Sequence, residues 1–148
     1  MQLPSYHLLS DKPFRIFYFT SNGPKGNILK VVRFDLFTAP NIYNLSFGDV
    51  IRNGPEFDDQ VVSDNGDRTL VLATIAQAVL LFISAHPGAQ IYAEGSTASR
   101  TRLYQMGINK YFSEVDGFLK IFGETEESWE PYQKGKIYKA LLAAALPE

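Results

Sequence analysis

Residues 65–88 read NGDRTLVLATIAQAVLLFISAHPG, and this stretch decides the fold. Asn65-Gly66-Asp67 supplies a turn and then an N-cap for a long helix, about Arg68 to Ala85, because an Asp side chain accepts from the first free amides of a helix. His86-Pro87-Gly88 stops it. Between those signals the helix is apolar nearly all round, which places it at the centre of a core. Its longest apolar run, Leu70 to Ile83, is interrupted by Thr74 and Gln77 and is too short to span a bilayer. The expectation is a buried helix and no membrane partner.

Upstream, three segments read as strands. Phe14 to Thr20 is aromatic and β-branched, Ser21-Asn22-Gly23-Pro24-Lys25-Gly26 is dense turn chemistry, and Ile28 to Phe37 follows as a second strand, which together predict an antiparallel hairpin. Ile42 to Phe47 alternates, with Tyr43, Leu45 and Phe47 on one face and Asn44 and Ser46 on the other. Gly48 to Gly66 is polar and reads as a loop with one short strand at Gln60-Val61-Val62. Downstream, Ala89 to Glu94 reads as a strand, Ser99 to Phe112 as a helix and Phe118 to Phe122 as a strand. The alanines between Lys136 and Leu146 favour helix, and a closing strand also fits. The order β-β-β-α-β-α-β predicts an α+β fold, a mostly antiparallel sheet with two helices packed on it.

Composition sets the outer limits. The 148 residues, 45% apolar and 20% charged, fit one soluble globular domain spanning 1–148. A net charge of −2 argues against broad affinity for nucleic acid, which needs a basic face. Without cysteine there is no disulfide, thiol catalysis or cysteine metal site. Met1 to His7 lacks a basic region followed by an apolar core, so no signal peptide is visible and a cytoplasmic location is expected.

The segment Glu94-Gly95-Ser96-Thr97-Ala98-Ser99-Arg100-Thr101-Arg102-Leu103-Tyr104 breaks a local rule. It runs from a strand end through a glycine turn and a hydroxyl cap into a helix whose first turns carry two arginines. A helix N-terminus is electropositive, so cations there are unfavourable by about 0.3–1 kcal/mol each. Rules of this kind tend to be broken at functional or strained sites. On a helical wheel with Arg100 at zero, Tyr104 falls near about 40°, Tyr111 near about 20° and Arg102 near about 200°. Arg100 therefore begins the buried face and Arg102 points away.

Two readings stand. In one, Gly95, Ser96, Thr97 and Arg100 bind a phosphate or carboxylate beside Tyr104. In the other, Arg100 pairs internally with an acid of the polar loop, and Ser96 or Thr97 only caps the helix. Lys25 admits a similar pair of readings, a second phosphate contact or an exposed hairpin lysine; the spacing of a P-loop is absent. Asp58, Asp59, Asp64 and Asp67 do not match an EF-hand and read as a solvated acidic loop, so no metal site is expected. His7 and His86 form no catalytic or metal pattern.

Ser21-Asn22-Gly23-Pro24-Lys25-Gly26, Tyr43-Asn44-Leu45-Ser46-Phe47-Gly48-Asp49 and Gly95-Ser96-Thr97 with Arg100 and Leu103-Tyr104, together with Asn65-Gly66-Asp67 and Trp129-Glu130, resemble an uncharacterised bacterial family of unknown function. The resemblance covers most of the chain and implies no activity. A partial resemblance runs to the GCN5-related N-acetyltransferases. The order helix, strand, helix, strand is similar to their core, and Arg102-Leu103-Tyr104-Gln105-Met106-Gly107-Ile108 is similar to the segment in which they carry Leu-Tyr before a glycine. That resemblance implies a general-acid role for Tyr104. The gap from Tyr to Gly is one residue short, and Asn65-Gly66-Asp67-Arg68 stands where the pyrophosphate loop belongs.

Three functions follow as expectations. The first is a binding module with an anion site at Gly95 to Arg100. The second is a divergent acyl- or nucleotidyl-transferring enzyme with Tyr104 as acid. The third is an interaction protein in a toxin–antitoxin or phage-defence pair. Cofactor and oligomeric state are not readable from the residues.

Overall fold

The computed structural model describes residues 5–38, 40–50, 57–58, 65–95, 97–112 and 119–145. In chain order the elements are β1 (Leu9–Ser10), β2 (Ile16–Gly23), β3 (Gly26–Thr38), β4 (Ile42–Val50), β5 (Phe57–Asp58), α1 (Arg68–Ala85), β6 (Gln90–Ala93), α2 (Ala98–Gly107), β7 (Leu119–Glu124), β8 (Trp129–Pro131) and β9 (Ala140–Ala145). The strands form one sheet in the order β1-β2-β3-β4-β6-β9-β7-β8, with β5 on β4. The fold is α+β and the sheet mostly antiparallel; among the described strand pairs β4–β6 alone is parallel.

The alternation read in β4 sets the two faces. Leu45 and Phe47 are buried with Phe17, Phe19, Val32, Phe34, Ile91 and Leu141 from the neighbouring strands, and α1 and α2 pack on this inner face. Phe34 stacks on Phe82 of α1 with ring centroids 4.2 Å apart, so the central strands and the central helix meet ring to ring. Ten residues of α1 are buried, which accounts for a helix that by length and composition alone is apolar enough to cross a membrane.

Several details differ from the sequence reading. The Asp67 side chain makes no capping bond to α1. It instead accepts from the hydroxyls of Tyr6 and Ser21, both at 2.5 Å. The alanine-rich tail is a strand, β9, inserted between β6 and β7, because two open strand edges there bond its backbone on both sides. The second helix stops being α-helical at Gly107 and continues as a π-helical turn, Ile108–Phe112. The short strand expected at Gln60-Val61-Val62 lies outside the described residues, while Phe57–Asp58 pairs with the end of β4.

Candidate functional site

The turn after β6 is built by close approach. A Cβ on Gly95 would collide with the Arg100 Cβ and the Thr101 backbone nitrogen, so only glycine lets the turn close on the helix. The Gly95 N–H donates to the Thr101 hydroxyl at 2.8 Å, and the Thr97 hydroxyl caps α2 by accepting from the Arg100 N–H at 3.1 Å. Ser96 lies outside the described residues. Two of the expected ligand-binding groups, the Gly95 amide and the Thr97 hydroxyl, therefore have partners inside the turn.

Arg100 runs inward, 2% exposed. Among the described residues, strand β4 is paired on this edge to β6 over Ile42–Asn44 and to β5 over Asp49 and Val50, with no strand partner at residues 45–48. In that stretch Arg100 donates from Nη1 to the Phe47 carbonyl at 2.8 Å. Its guanidinium carbon also stands 5.2 Å from the Phe47 ring centroid. The same ring receives Lys30, whose Nζ is 5.5 Å from the centroid and 2.5 Å from Asp49 Oδ1. Lys30 and Asp49 face each other across β3 and β4, and Lys30 is 2% exposed. Two buried cations thus flank one aromatic ring at the end of the core.

Tyr104, one turn after Arg100, is buried and lines an apolar cavity of about 60 Å³ between α1, α2 and the sheet, together with Leu72, Gly107 and Ile121. Tyr111 is buried as the helical wheel predicts, while Arg102 and Met106 are exposed. Lys25 sits exposed at the β2–β3 hairpin tip, where its N–H donates to Asn65 Oδ1 at 2.7 Å. Asn65 also donates to Ser21 and to the Gly26 carbonyl, which ties the hairpin to the start of α1. No bond joins Lys25 to the Gly95–Arg100 turn among the described residues.

The outer sheet face carries a second feature. Neither helix packs on this side, and the outward residues Asp35, Asn44 and Tyr92 are aligned by the pairings Asp35↔Asn44 and Asn44↔Tyr92. Phe37, 57% exposed, reaches across β4 to stack on Tyr92 with centroids 4.9 Å apart. Trp129 meets the other side of Tyr92 edge to face at 6.2 Å. Beside this row opens a groove of about 580 Å³ lined by Asp35, Leu36, Phe37, Asn44, Tyr92, Glu94 and Gly95.

The Tyr92 hydroxyl donates to Glu94 Oε1 at 2.8 Å. Burial first, then that bond, then the charges of Glu94 and Glu124 push its phenol well above the usual tyrosine range, so it stays a donor. Asp35 is paired on its outer side with Arg33 at 3.2 Å. Of the candidate ligand-binding residues, Gly95 borders the groove, and Lys25, Thr97 and Arg100 do not line it. The rest of the groove was beyond reach of local reading, because it joins the consecutive strands β3 and β4 to β6, which lies far along the chain. The exposed Phe37 at the end of a strand was the one available signal.

A family model described as a family of unknown function, DUF6934, matches residues 2–145. No curated protein matches the chain. No solved structure matches it either, so nothing among these comparisons supports the likeness to acetyltransferases.

Proposed function

Because the chain belongs to that family of unknown function, and membership brings no activity with it, we propose a function from the geometry: a binding module that takes a small molecule in the groove on the outer sheet face. One observation carries the reading. Phe37 and Tyr92 stack on each other while Phe37 remains 57% exposed, on a sheet face that neither helix covers. Large rings left in water are costly, at about 25 cal/mol per Å² of apolar surface, and a ligand laid against them recovers that surface. The opening falls within the range of small-molecule sites, about 300–1,000 Å³, and sets Phe37 and Tyr92 beside the polar groups Asp35, Asn44 and Glu94.

The test is a thermal-shift panel of sugars, amines, nucleotides, sugar phosphates and acyl-CoAs, run on the wild type and on Phe37→Ala. A ligand at 100 times its Kd adds about 2.7 kcal/mol. The expected result is a stabilising class whose effect disappears in Phe37→Ala. A stabilising ligand that ignores this substitution moves the site elsewhere. If that ligand is a phosphate and its effect is lost in Arg100→Ala, the anion site at Gly95, Thr97 and Arg100 replaces the groove.

A second reading, an acyl- or nucleotidyl-transferring enzyme with Tyr104 as acid, has one observation in its favour. The chain runs α1, β6, α2, β7, and the parallel strands β4 and β6 stop pairing after Asn44 and Tyr92. Beyond that point Arg100 donates to the Phe47 carbonyl of β4. Stabilisation by acyl-CoAs that is weakened in Tyr104→Phe would favour this reading over the groove.

A further inference from the structure

We infer that the ligand of the groove is an organic cation, a small molecule presenting an ammonium or guanidinium group. This rests on the groove being the binding site, as proposed above. Among its described lining residues two side chains are carboxylates, Asp35 and Glu94, and none is Lys or Arg. Glu124 adds a third negative charge close enough to act on Tyr92. Among the described residues, Arg33 is paired with Asp35 at 3.2 Å.

The chemistry of the walls discriminates between ligand classes. An anion would meet two carboxylates and, among the described lining residues, no Lys or Arg. A neutral polyol would satisfy hydrogen bonds but would still strip water from those carboxylates, which is costly unless a positive charge replaces it. A cation repays that cost and is also drawn to the ring faces of Phe37 and Tyr92, whose quadrupoles attract positive charge. The opening has the volume for a free small molecule, so a lysine on a partner protein is not required to fill it.

The test is an amide NMR titration of the full chain with choline, agmatine and spermidine, against neohexanol as the uncharged isostere of choline, glycerol, and inorganic phosphate. At least one amine is expected to give saturable shifts at Asn44, Tyr92 and Gly95, while neohexanol, glycerol and phosphate give none there. Asp35→Asn with Glu94→Gln is expected to weaken amine binding by about tenfold or more, and so is added salt. Equal shifts from neohexanol or glycerol at these residues would overturn the cation and leave the groove standing. Amine shifts that map away from the groove, or that survive Phe37→Ala unchanged, would overturn the groove itself. Shifts from phosphate, or none from any amine, would also overturn the cation.

Discussion

Arg100 donates from Nη1 to the carbonyl oxygen of Phe47 at 2.8 Å, which joins the first turn of α2 to a stretch of β4 that has no strand partner on that edge among the described residues. The two residues lie 53 positions apart. The cation is unfavourable for the helix dipole yet supplies a donor to a buried strand carbonyl. The interior of the sheet, rather than the helix, sets the identity of this residue.

Replacing Arg100 with alanine is therefore expected to destabilise the fold. It removes a charged donor from a buried carbonyl and leaves a void beside Phe47, for a combined loss of about 2–5 kcal/mol. Arg100→Lys should recover only part of this, since a single ammonium does not reproduce the planar fork. Urea denaturation of both variants checks the order wild type, lysine, alanine. Equal stability of all three would show that the Phe47 contact contributes nothing.

Asp67 makes a separate case. Its carboxylate binds Tyr6 and Ser21 instead of capping α1, and Ser21 is fully buried. Asp67→Ala should cost about 1–3 kcal/mol by leaving those hydroxyls without their acceptor. Asp67→Ser separates the roles, because serine is a good cap with a shorter reach. Serine as damaging as alanine supports the network. Serine close to wild type would return the residue to capping. A cycle with Tyr6→Phe should show coupling between the two positions.

The folded chain also raises the phenols of Tyr6, Tyr92, Tyr111, Tyr132 and Tyr138, in each case chiefly by burial. A raised folded pKa means that the native state holds protons the unfolded state has released. The slope of stability with pH is then negative wherever the two differ. This contribution is fully present below the ordinary tyrosine value of 10.0 and is lost as pH climbs through the folded values above it. Tyrosinate absorbance should appear later in the native protein than in urea, and unfolding in alkali should release it abruptly. Identical titrations of native and unfolded protein would contradict the burial.

Much of the architecture was legible because it rests on local periodicity. The alternation Tyr43-Leu45-Phe47 gave the inner face of β4, and the wheel through Arg100, Tyr104 and Tyr111 gave the buried face of α2. The strand at Ala140–Ala145 was ambiguous because its alanines prefer helix, and only two unfilled strand edges decide otherwise. The role of Asp67 was read as local when its partners lie 61 and 46 residues away. The groove was hidden for the same reason, since Phe37, Asn44 and Tyr92 meet only once the parallel pair β4–β6 has formed.

Gly107 offers a test of opposite sign. It ends α2, and its Cα faces the apolar cavity of about 60 Å³ that Tyr104, Leu72 and Ile121 also line. A Cβ built there would meet the Leu72 Cδ2 at 3.6 Å, an ordinary contact, so nothing has to move. Alanine also reduces the conformational freedom of the unfolded chain and improves helix propensity, together worth about 0.5–1 kcal/mol. Each kcal/mol is worth about 2–4 °C in a domain slightly larger than this one. Gly107→Ala is therefore expected to raise Tm by a few degrees. A lower Tm would mean that the passage into the π-helical turn at Ile108 needs a bare glycine, and that the cavity beside it is kept open by the backbone.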